Sequence, residues 1–280
     1  MVASNGSAYL SAALRQELSL RNRDYARKRG LSACESYGDP PVICYPPSED
    51  ETSHGNFLRE SYRQIRANPQ WTRRLAKVHT QARSSLPRID RRWRELDSSN
   101  SSDALLMNIF CFPGTLKRPS LTRLLGIAAY TQPEFGVRAR VPLANGRFDR
   151  TEIDMRIGDL LVEAKLTESD FQSAEQALVH SYRDLTEVFD LRGLPRDHGR
   201  FLSYQLIRNV LAAYAAQCSI CLLADARRPD LREAWYQVMR CVRLVDLRLC
   251  CKMLTWQEVA GAVSPKLRSF LAEKYGILPE

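Results

Sequence analysis

Residues 150–166 read Arg-Thr-Glu-Ile-Asp-Met-Arg-Ile-Gly-Asp-Leu-Leu-Val-Glu-Ala-Lys-Leu, and this run predicts one tight β-hairpin. Gly158 and Asp159 form its two-residue turn, and a glycine at the first central position suits a type II′ turn. One face of the hairpin is then wholly apolar. The register that this turn sets pairs Ile157 with Leu160, Met155 with Val162 and Ile153 with Ala164.

The opposite face of the hairpin brings like charges together. Asp154 lies across from Glu163, and Lys165 points the same way as Glu163 because residues two apart on a strand share a face. Directly opposed like charges destabilise a sheet, yet a slip of one residue would turn all these charges into the core. We therefore expect a cation between the two carboxylates. Lys165 is one source of positive charge, and a divalent metal is a stronger one.

This arrangement suits the cleavage of phosphodiester bonds. Such a reaction needs a hard divalent cation held by oxygen ligands, an attacking water and positive charge near the phosphorus. Asp154 and Glu163 could hold Mg²⁺ or Mn²⁺, and the carbonyl of Ala164 is a natural further ligand. Lys165 could orient or deprotonate the water and offset the developing negative charge.

The composition is that of a soluble globular protein. The chain has 280 residues, of which 44% are hydrophobic and 26% charged, enough for one large domain or a core domain with an extension. Because it has no run of about eighteen apolar residues, we expect no membrane span. The N-terminal segment lacks the apolar core of a signal peptide, so we expect a cytoplasmic protein.

The charge balance is basic, with a net charge of +9 and a pI near 9.3. This favours a polyanionic partner, either nucleic acid or an anionic membrane surface, although many basic proteins bind neither. Residues 57–95 are expected to be helical and are rich in arginine. They form either a solvated helical face or a contact to a DNA backbone, for which the candidates are Arg73, Arg74 and Lys77.

The eight cysteines do not have the spacing of a zinc site. Cys218 and Cys221 form a CxxC pair inside an apolar run that is typical of a buried strand. A structural zinc site needs a second pair of ligands at a suitable spacing. We expect reduced thiols in a cytoplasmic protein.

Two regions are expected along the chain. Residues 1–98 are predicted to be a basic, mainly helical extension, loosely structured over 1–55 apart from a helix at Ser11–Lys28. Residues 99–280 intermix strand and helix patterns, which indicates an α/β core domain. The predicted elements of this core include helices at Ala104–Phe112, Ser169–Leu191 and Phe201–Tyr214, and strands at Ser219–Leu223 and Val242–Lys252.

The motif Asp154, eight intervening residues and then Glu163-Ala-Lys165 resembles the PD-(D/E)XK nuclease superfamily. A lone E-x-K triplet is a weak signal because it is common by chance. Four blocks in the order of a bacterial branch of this superfamily strengthen the resemblance, which covers roughly residues 100 to 255: Ser101–Phe110, Pro133–Phe135, Glu163–Glu168 and Tyr204–Asn209. The resemblance implies a restriction-endonuclease-like fold, an α/β domain with a mixed central sheet flanked by helices.

The resemblance also implies further site residues. Family members carry another acidic residue before the hairpin, which by position is Glu134; it would bind the metal, or else be an exposed carboxylate at a strand start. Many members carry a glutamine on a later helix that touches the site, and Gln205 matches by order, unless it is a plain surface residue. Arg208 and Asn209 lie on the same helical face and could reach a phosphate.

Taken together, the hairpin and the resemblance predict a Mg²⁺-dependent deoxyribonuclease. The alternative is a non-catalytic nucleic-acid-binding module on the same fold. RNA stays open as a substrate because the superfamily is broad. Duplex cutters of this fold often dimerise, so a homodimer is a further expectation.

Overall fold

The computed structural model of the chain describes residues 3–36, 40–78 and 90–280. Contacts divide these residues into two compact units. The first unit contains the described residues up to Leu10 together with Phe135–Thr255. The second contains the described residues of Ser11–Glu134 together with Trp256–Glu280. Each unit combines two separate stretches of the sequence, and neither unit begins or ends at the predicted boundary between residues 98 and 99. That boundary stays a prediction.

The described residues form twelve α-helices and twelve β-strands, with short 3₁₀ turns between some of them. The helices are α1 Ala3–Arg29, α2 Arg59–Ala67, α3 Pro69–Thr72, α4 Ser102–Phe110, α5 Pro119–Leu125, α6 Gln176–His180, α7 Leu185–Val188, α8 Tyr204–Ala216, α9 Pro229–Met239, α10 Val245–Leu249, α11 Trp256–Ala262 and α12 Pro265–Tyr275. The strands are β1 Cys34–Glu35, β2 Ile43–Cys44, β3 Pro133–Arg138, β4 Val141–Pro142, β5 Phe148–Asp149, β6 Glu152–Ile157, β7 Leu160–Ala164, β8 Ser173–Glu175, β9 Arg196–Asp197, β10 Arg200–Leu202, β11 Ser219–Ala224 and β12 Cys251–Thr255.

A five-stranded mixed sheet organises the first unit, with the strand order β12-β11-β7-β6-β3. Strand β7 lies at its centre, antiparallel to β6 and parallel to β11, and all five of its residues are buried. Both faces of β7 are therefore covered, which explains the apolar composition of most of the strand. Smaller sheets pair β4 with β5 and place β10 between β8 and β9.

The hydrophobic core of the first unit packs helices α8 and α9 onto this sheet. Leu206 and Val210 of α8 are buried in one cluster with Leu161 of β7 and Leu222 of β11. Leu161 and Glu163 alternate along β7, and Lys165 follows its last residue with an amide that still donates to β11, at the Leu223 carbonyl. Helix α8 therefore covers the same face of the sheet that carries these two charges. This packing decides which side chains of α8 can reach them.

The predicted helices and strands are confirmed in part. The strand at Ser219–Leu223 is confirmed as β11, and the helix at Ala104–Phe112 as α4, whose N-cap Ser101 accepts a hydrogen bond from the Ala104 amide. The helix at Phe201–Tyr214 begins later, as α8. The helix predicted at Ser11–Lys28 is confirmed as part of α1, which begins earlier, at Ala3.

Two predictions of regular structure are wrong. The predicted strand at Val242–Lys252 is instead α10 followed by β12; Val245 and Leu249 are exposed, so the apolar alternation does not reflect burial. The segment Ser169–Leu191 is only partly helical: β8 precedes the short helices α6 and α7, because residues 173–175 pair with β10. Of the basic segment 57–95, residues 79–89 lie outside the described residues.

No helix in the described part of the chain combines the length and apolar character that crossing a bilayer requires. All eight cysteines carry free thiols, and Cys218 and Cys221 are buried as predicted for a core strand.

Candidate active site

The hairpin of β6 and β7 forms in the predicted register. Gly158 has a φ of +59°, whereas Asp159 is outside the left-handed region, as a type II′ turn requires. The pairs are Met155 with Val162, Arg156 with Leu161 and Ile157 with Leu160. Ile153, Met155 and Ile157 are buried, so the predicted apolar face is confirmed.

The regular pairing of β6 with β7 ends at Met155 and Val162, just before the charged residues Asp154 and Glu163. The Ala164 amide was predicted to lie opposite Ile153, and it donates instead to Asp154 Oδ2 at 2.8 Å. A carboxylate thus takes the place of a main-chain acceptor. Because the N–H and C=O of a residue in an antiparallel strand point to the same side, the Ala164 carbonyl faces the Asp154 side as well.

Glu163 and Lys165 form a buried ion pair on the face covered by α8. Lys165 Nζ lies 2.8 Å from Glu163 Oε1, and the two residues are only 5% and 4% exposed. Asn209 of α8 donates its side-chain amide to Glu163 Oε2 at 2.9 Å. Each oxygen of the Glu163 carboxylate therefore has a fixed partner, which sets its orientation.

Lys165 keeps its positive charge in this environment. Burial by itself lowers the pKa of its ammonium, but the carboxylates of Glu163, Glu168 and Asp154 outweigh burial and raise the pKa above its ordinary value. A lysine that holds its proton at neutral pH acts as a cation. The arrangement therefore favours charge stabilisation over the predicted deprotonation of water by Lys165.

Helix α8 supplies three predicted site residues. Asn209 is 1% exposed and donates to Glu163, a contact that orients this carboxylate, while its predicted contact to a phosphate stays a prediction. Arg208 is 5% exposed, donates to Asn209 Oδ1 at 3.2 Å and lies over the Tyr204 ring. Gln205 lies one helical turn before Asn209 and so on the same face.

Gln205 has an unusual feature for a surface residue. Its Oε1 atom is buried and has no hydrogen-bond partner among the described residues. Buried carbonyl oxygens of this kind almost always have a donor, which can be an ordered water. The atom is therefore a place where a water could bind, and the part of Gln205 in the site stays a prediction.

Glu134 lies near the beginning of β3 and is exposed. An exposed carboxylate fits either of the two readings that the sequence left open. Its predicted part in binding the metal stays a prediction.

The predicted nucleic-acid contacts of Arg74 and Lys77 are not supported by their surroundings. Arg74 Nη2 and Lys77 Nζ lie 2.7 Å and 2.8 Å from Asp103 Oδ2, and Lys77 also lies 3.0 Å from Glu95 Oε1. These cations are neutralised inside the second unit, and Arg74 is buried. Arg73 is exposed, so it alone of the three predicted cations keeps an outward position.

Sequence patterns gave no signal for one charged residue beside the site. Arg228 is fully buried, and its guanidinium donates to the main-chain carbonyls of Glu168 and Ser169, directly after the Glu163–Lys165 triplet. Arg228 lies 60 residues from Glu168 in the sequence, so the spacing of neighbouring residues cannot predict this contact.

The donor set fits a hard divalent cation. Asp154 and Glu163 supply carboxylate oxygens, the Ala164 carbonyl faces the same side, and the lone Gln205 Oε1 provides a place for water. Within the described residues no group of three or more His, Cys, Asp or Glu side chains could hold a metal ion. Two carboxylates, one carbonyl and several waters suit Mg²⁺, which usually keeps part of its hydration shell.

Comparison with protein families identifies the chain. The model of the family described as "Restriction Endonuclease associating with ARP" matches residues 8–276, and the chain belongs to this family. The mixed α/β architecture, with its five-stranded central sheet, is consistent with a restriction-endonuclease-like fold. Comparison with curated proteins and comparison with solved structures each gave no match.

Proposed function

We propose that this member of a restriction-endonuclease family is a metal-dependent nuclease that hydrolyses phosphodiester bonds of DNA. The observation that carries the proposal is the buried cluster at the end of the hairpin. There Lys165 Nζ lies 2.8 Å from Glu163 Oε1, and Asp154 Oδ2 accepts from the main chain one residue further along, at Ala164. Acidic oxygens beside a retained ammonium suit a phosphoryl reaction and are costly for a fold to keep without a use.

The residues of the chain would act mainly by orientation and charge. A bound Mg²⁺ would supply a more acidic water and positive charge at the phosphate oxygens. As the bond from the water oxygen to phosphorus forms, the bond from phosphorus to the leaving sugar oxygen breaks; the attacking water gives its proton to solvent, and the leaving oxygen takes a proton from solvent. The Lys165 ammonium keeps its proton and offsets the extra negative charge on the phosphate oxygens.

The supporting residues have separate parts in the proposal. Asp154 and Glu163, with the Ala164 carbonyl, would hold the cation, and Asn209 keeps Glu163 oriented. Gln205 would hold a water of the site through its lone Oε1. Arg208 would act on a substrate phosphate, and Glu134 on the metal.

A cleavage assay tests the proposal directly. Purified protein is incubated with supercoiled plasmid, linear duplex, single-stranded DNA and RNA in Mg²⁺, Mn²⁺ or EDTA. We expect cleavage of DNA with either metal and none in EDTA or with the Lys165→Ala variant. If the wild type cleaves no substrate faster than Lys165→Ala does, the nuclease proposal is wrong.

One surface observation favours a second candidate, a non-catalytic nucleic-acid-binding module. Arg59, Arg63 and Arg66 lie four and three residues apart on α2 and are exposed, so they form one basic stripe. Arg66 is paired with Glu51, which weakens one end of that stripe. Duplex binding that falls with salt and persists in EDTA, without any cleavage, would favour this candidate.

A further inference from the structure

Two cysteines lie opposite each other across a short strand pair of the second unit. Strand β1 is antiparallel to β2, and Cys34 is the direct partner of Cys44 in that pair. Partners of this kind carry their side chains on the same face, with Cβ atoms about 4.5–5.5 Å apart. Both residues have free thiols, which therefore face the same side of the strand pair.

The hydrogen bonds of β2 define the separation of the two cysteines. The Ile43 carbonyl and the Tyr45 amide bond to residues 97–99 at 2.8 Å and 2.9 Å, along the edge of β2 that faces away from β1. Main-chain groups alternate in direction along a strand, so those of Cys44 point to β1. Cys34 and Cys44 then form a hydrogen-bonded pair, in which Cα atoms lie about 5.5 Å apart. This separation is typical of a disulfide, so the backbone is already placed for that bond.

The two thiols differ in their access to solvent. Cys44 is only 3% exposed, and burial raises the pKa of its thiol to about 12. Cys34 is partly exposed. Because the thiolate and not the thiol is the nucleophile, an oxidant from solvent reacts first with Cys34. Cys44 is the neighbour that can resolve the oxidised product.

The interactions that hold β1 in place are few and weak. Each strand of the pair has two residues, and an isolated pair of strands is marginal in water. Glu35 of β1 also lies 2.5 Å from Arg23 of α1, but both side chains are about half exposed, and exposed ion pairs contribute little. A covalent link between the strands would therefore change the stability of this region markedly.

We propose that Cys34 and Cys44 are a modification site at which a peroxide forms a reversible disulfide that fixes β1 to β2. The Cys34 thiolate attacks one oxygen of hydrogen peroxide: an S–O bond forms, the O–O bond breaks, and the hydroxide that leaves takes up the proton that Cys34 released. The Cys44 sulfur then attacks the Cys34 sulfur: the S–S bond forms, the S–O bond breaks, and water leaves with the Cys44 proton. The two thiols lose two electrons, and the peroxide becomes two waters.

Peptide mapping tests whether the bond forms. Hydrogen peroxide is added to the full chain until Cys250, which is exposed, has lost its thiol. Remaining thiols are alkylated, and the chain is cut after glutamate, because cleavage at Glu35 separates the two cysteines. Mass spectrometry should find the Cys34 and Cys44 peptides joined, and separate after treatment with dithiothreitol. Thiols retained at both positions, or Cys34 joined to any other residue, would overturn the proposal.

Melting curves test whether the bond fixes the strands. They are measured on Cys250→Ser, which removes the exposed thiol. The ring closed by the disulfide has about 11 residues, so oxidation should raise the melting temperature by about 5 °C or more. Dithiothreitol should reverse the rise in the same protein, a comparison that needs no further substitution. A complete Cys34–Cys44 link without any rise would overturn the claim that the bond fixes β1.

A matched pair of substitutions assigns the effect. In the Cys250→Ser background, Cys34→Ser should abolish the rise in melting temperature. Cys251→Ser is the control, because Cys251 is also partly exposed but lies opposite Ile220, and it should keep the rise. An equal rise in both variants would show that oxidation acts elsewhere and would overturn the proposal.

The disulfide and the proposed cleavage of DNA fail independently. Cys34 and Cys44 belong to the second unit, whereas Asp154 and Glu163 belong to the first. A chain that cleaves nothing but forms the reversible link would end only the nuclease proposal. A chain that cleaves DNA and keeps both thiols in peroxide would end only the proposal of a disulfide.

Discussion

Each unit of the protein contains a lysine among carboxylates, buried in the case of Lys165 and partly exposed in the case of Lys77, and the two clusters differ in charge balance. In the second unit Lys77 contacts Asp103 and Glu95, while Arg74 contacts Asp103 as well. Two acidic groups there face two cations. In the first unit the groups that raise the pKa of Lys165 are the three carboxylates of Glu163, Glu168 and Asp154.

The difference separates a cluster that stabilises the fold from one that suits a reaction. A balanced buried network satisfies its own charges, and its members are poor ligands for anything from outside. A cluster with more acid than base attracts further positive charge. This contrast supports a metal at Asp154 and Glu163 and explains why the basic residues Arg74 and Lys77 are poor candidates for a DNA contact.

The largest expected effect comes from Asp154→Asn. This change removes a charge from the acidic cluster and should lower Mg²⁺-dependent cleavage by about a thousandfold, since a bound metal contributes several kcal/mol to charge stabilisation. It should also abolish the increase in melting temperature on adding Mg²⁺. A variant that is still stabilised by Mg²⁺ would remove Asp154 from the metal site.

Lys165→Ala should separate metal binding from cleavage. Without the ammonium, the carboxylates should bind Mn²⁺ at least as tightly as in the wild type, while cleavage falls about a hundredfold or more. Parallel titration and cleavage measurements check this. Weaker Mn²⁺ binding in the variant would show that the Lys165 ammonium does not compete with a metal ion for the Glu163 carboxylate.

Lys77→Met is the matched change in the balanced cluster. It removes a cation from beside Asp103 and Glu95, so the free energy of unfolding should fall by about 3 kcal/mol, as when one partner of a buried pair is removed. Urea denaturation measures this loss. Mg²⁺ should not restore the stability of this variant, and restoration would show that the second cluster binds metal too.

Glu95 gives the smallest effect and makes the balanced cluster sensitive to pH. Burial, with the charge of Asp103, raises the pKa of Glu95 to about 7. Because the folded state holds this proton more tightly than the unfolded state, the stabilisation is present below about pH 4.5 and is lost as pH rises through 7.

Between pH 5 and pH 8 the wild type should therefore lose about 2 kcal/mol more free energy of unfolding than Glu95→Gln does. Urea denaturation at the two pH values measures the difference. Parallel losses in the two proteins would show that Glu95 is already ionised at pH 5 in the folded state.

The local part of the candidate site could be predicted from sequence. The alternation of apolar residues and the Gly158-Asp159 turn determine the hairpin register, which is observed from Met155 with Val162 to the turn. Beyond it, the Ala164 amide donates to Asp154, so Asp154 lies beside the residue that follows Glu163. Asn209 also lies on the predicted helix, although the sequence assigned it to a phosphate. Its contact with Glu163 depends on which face of α8 packs against the sheet, and spacing alone does not give that face.

The remaining errors come from contacts between residues distant in sequence. Lys77 is 26 residues from Asp103, and Arg228 is 60 residues from Glu168. Local sequence patterns therefore predict neither the ion pair of Lys77 with Asp103 nor the hydrogen bond of Arg228 to the Glu168 carbonyl. The strand predicted at Val242–Lys252 failed for a related reason. Alternating apolar residues suit a strand only if a sheet edge lies there, and β11 pairs with Cys251–Thr255 instead.

The two-residue turn at Gly158 and Asp159 also bears on how the protein folds. A hairpin with so short a loop can close within about 1–10 μs, whereas β11 must cross over from far along the chain to lie parallel to β7. Asp154 and Glu163 would thus meet early, before α8 arrives to orient either of them. Lys165 directly follows β7, so its positive charge is close to both carboxylates as soon as the hairpin forms.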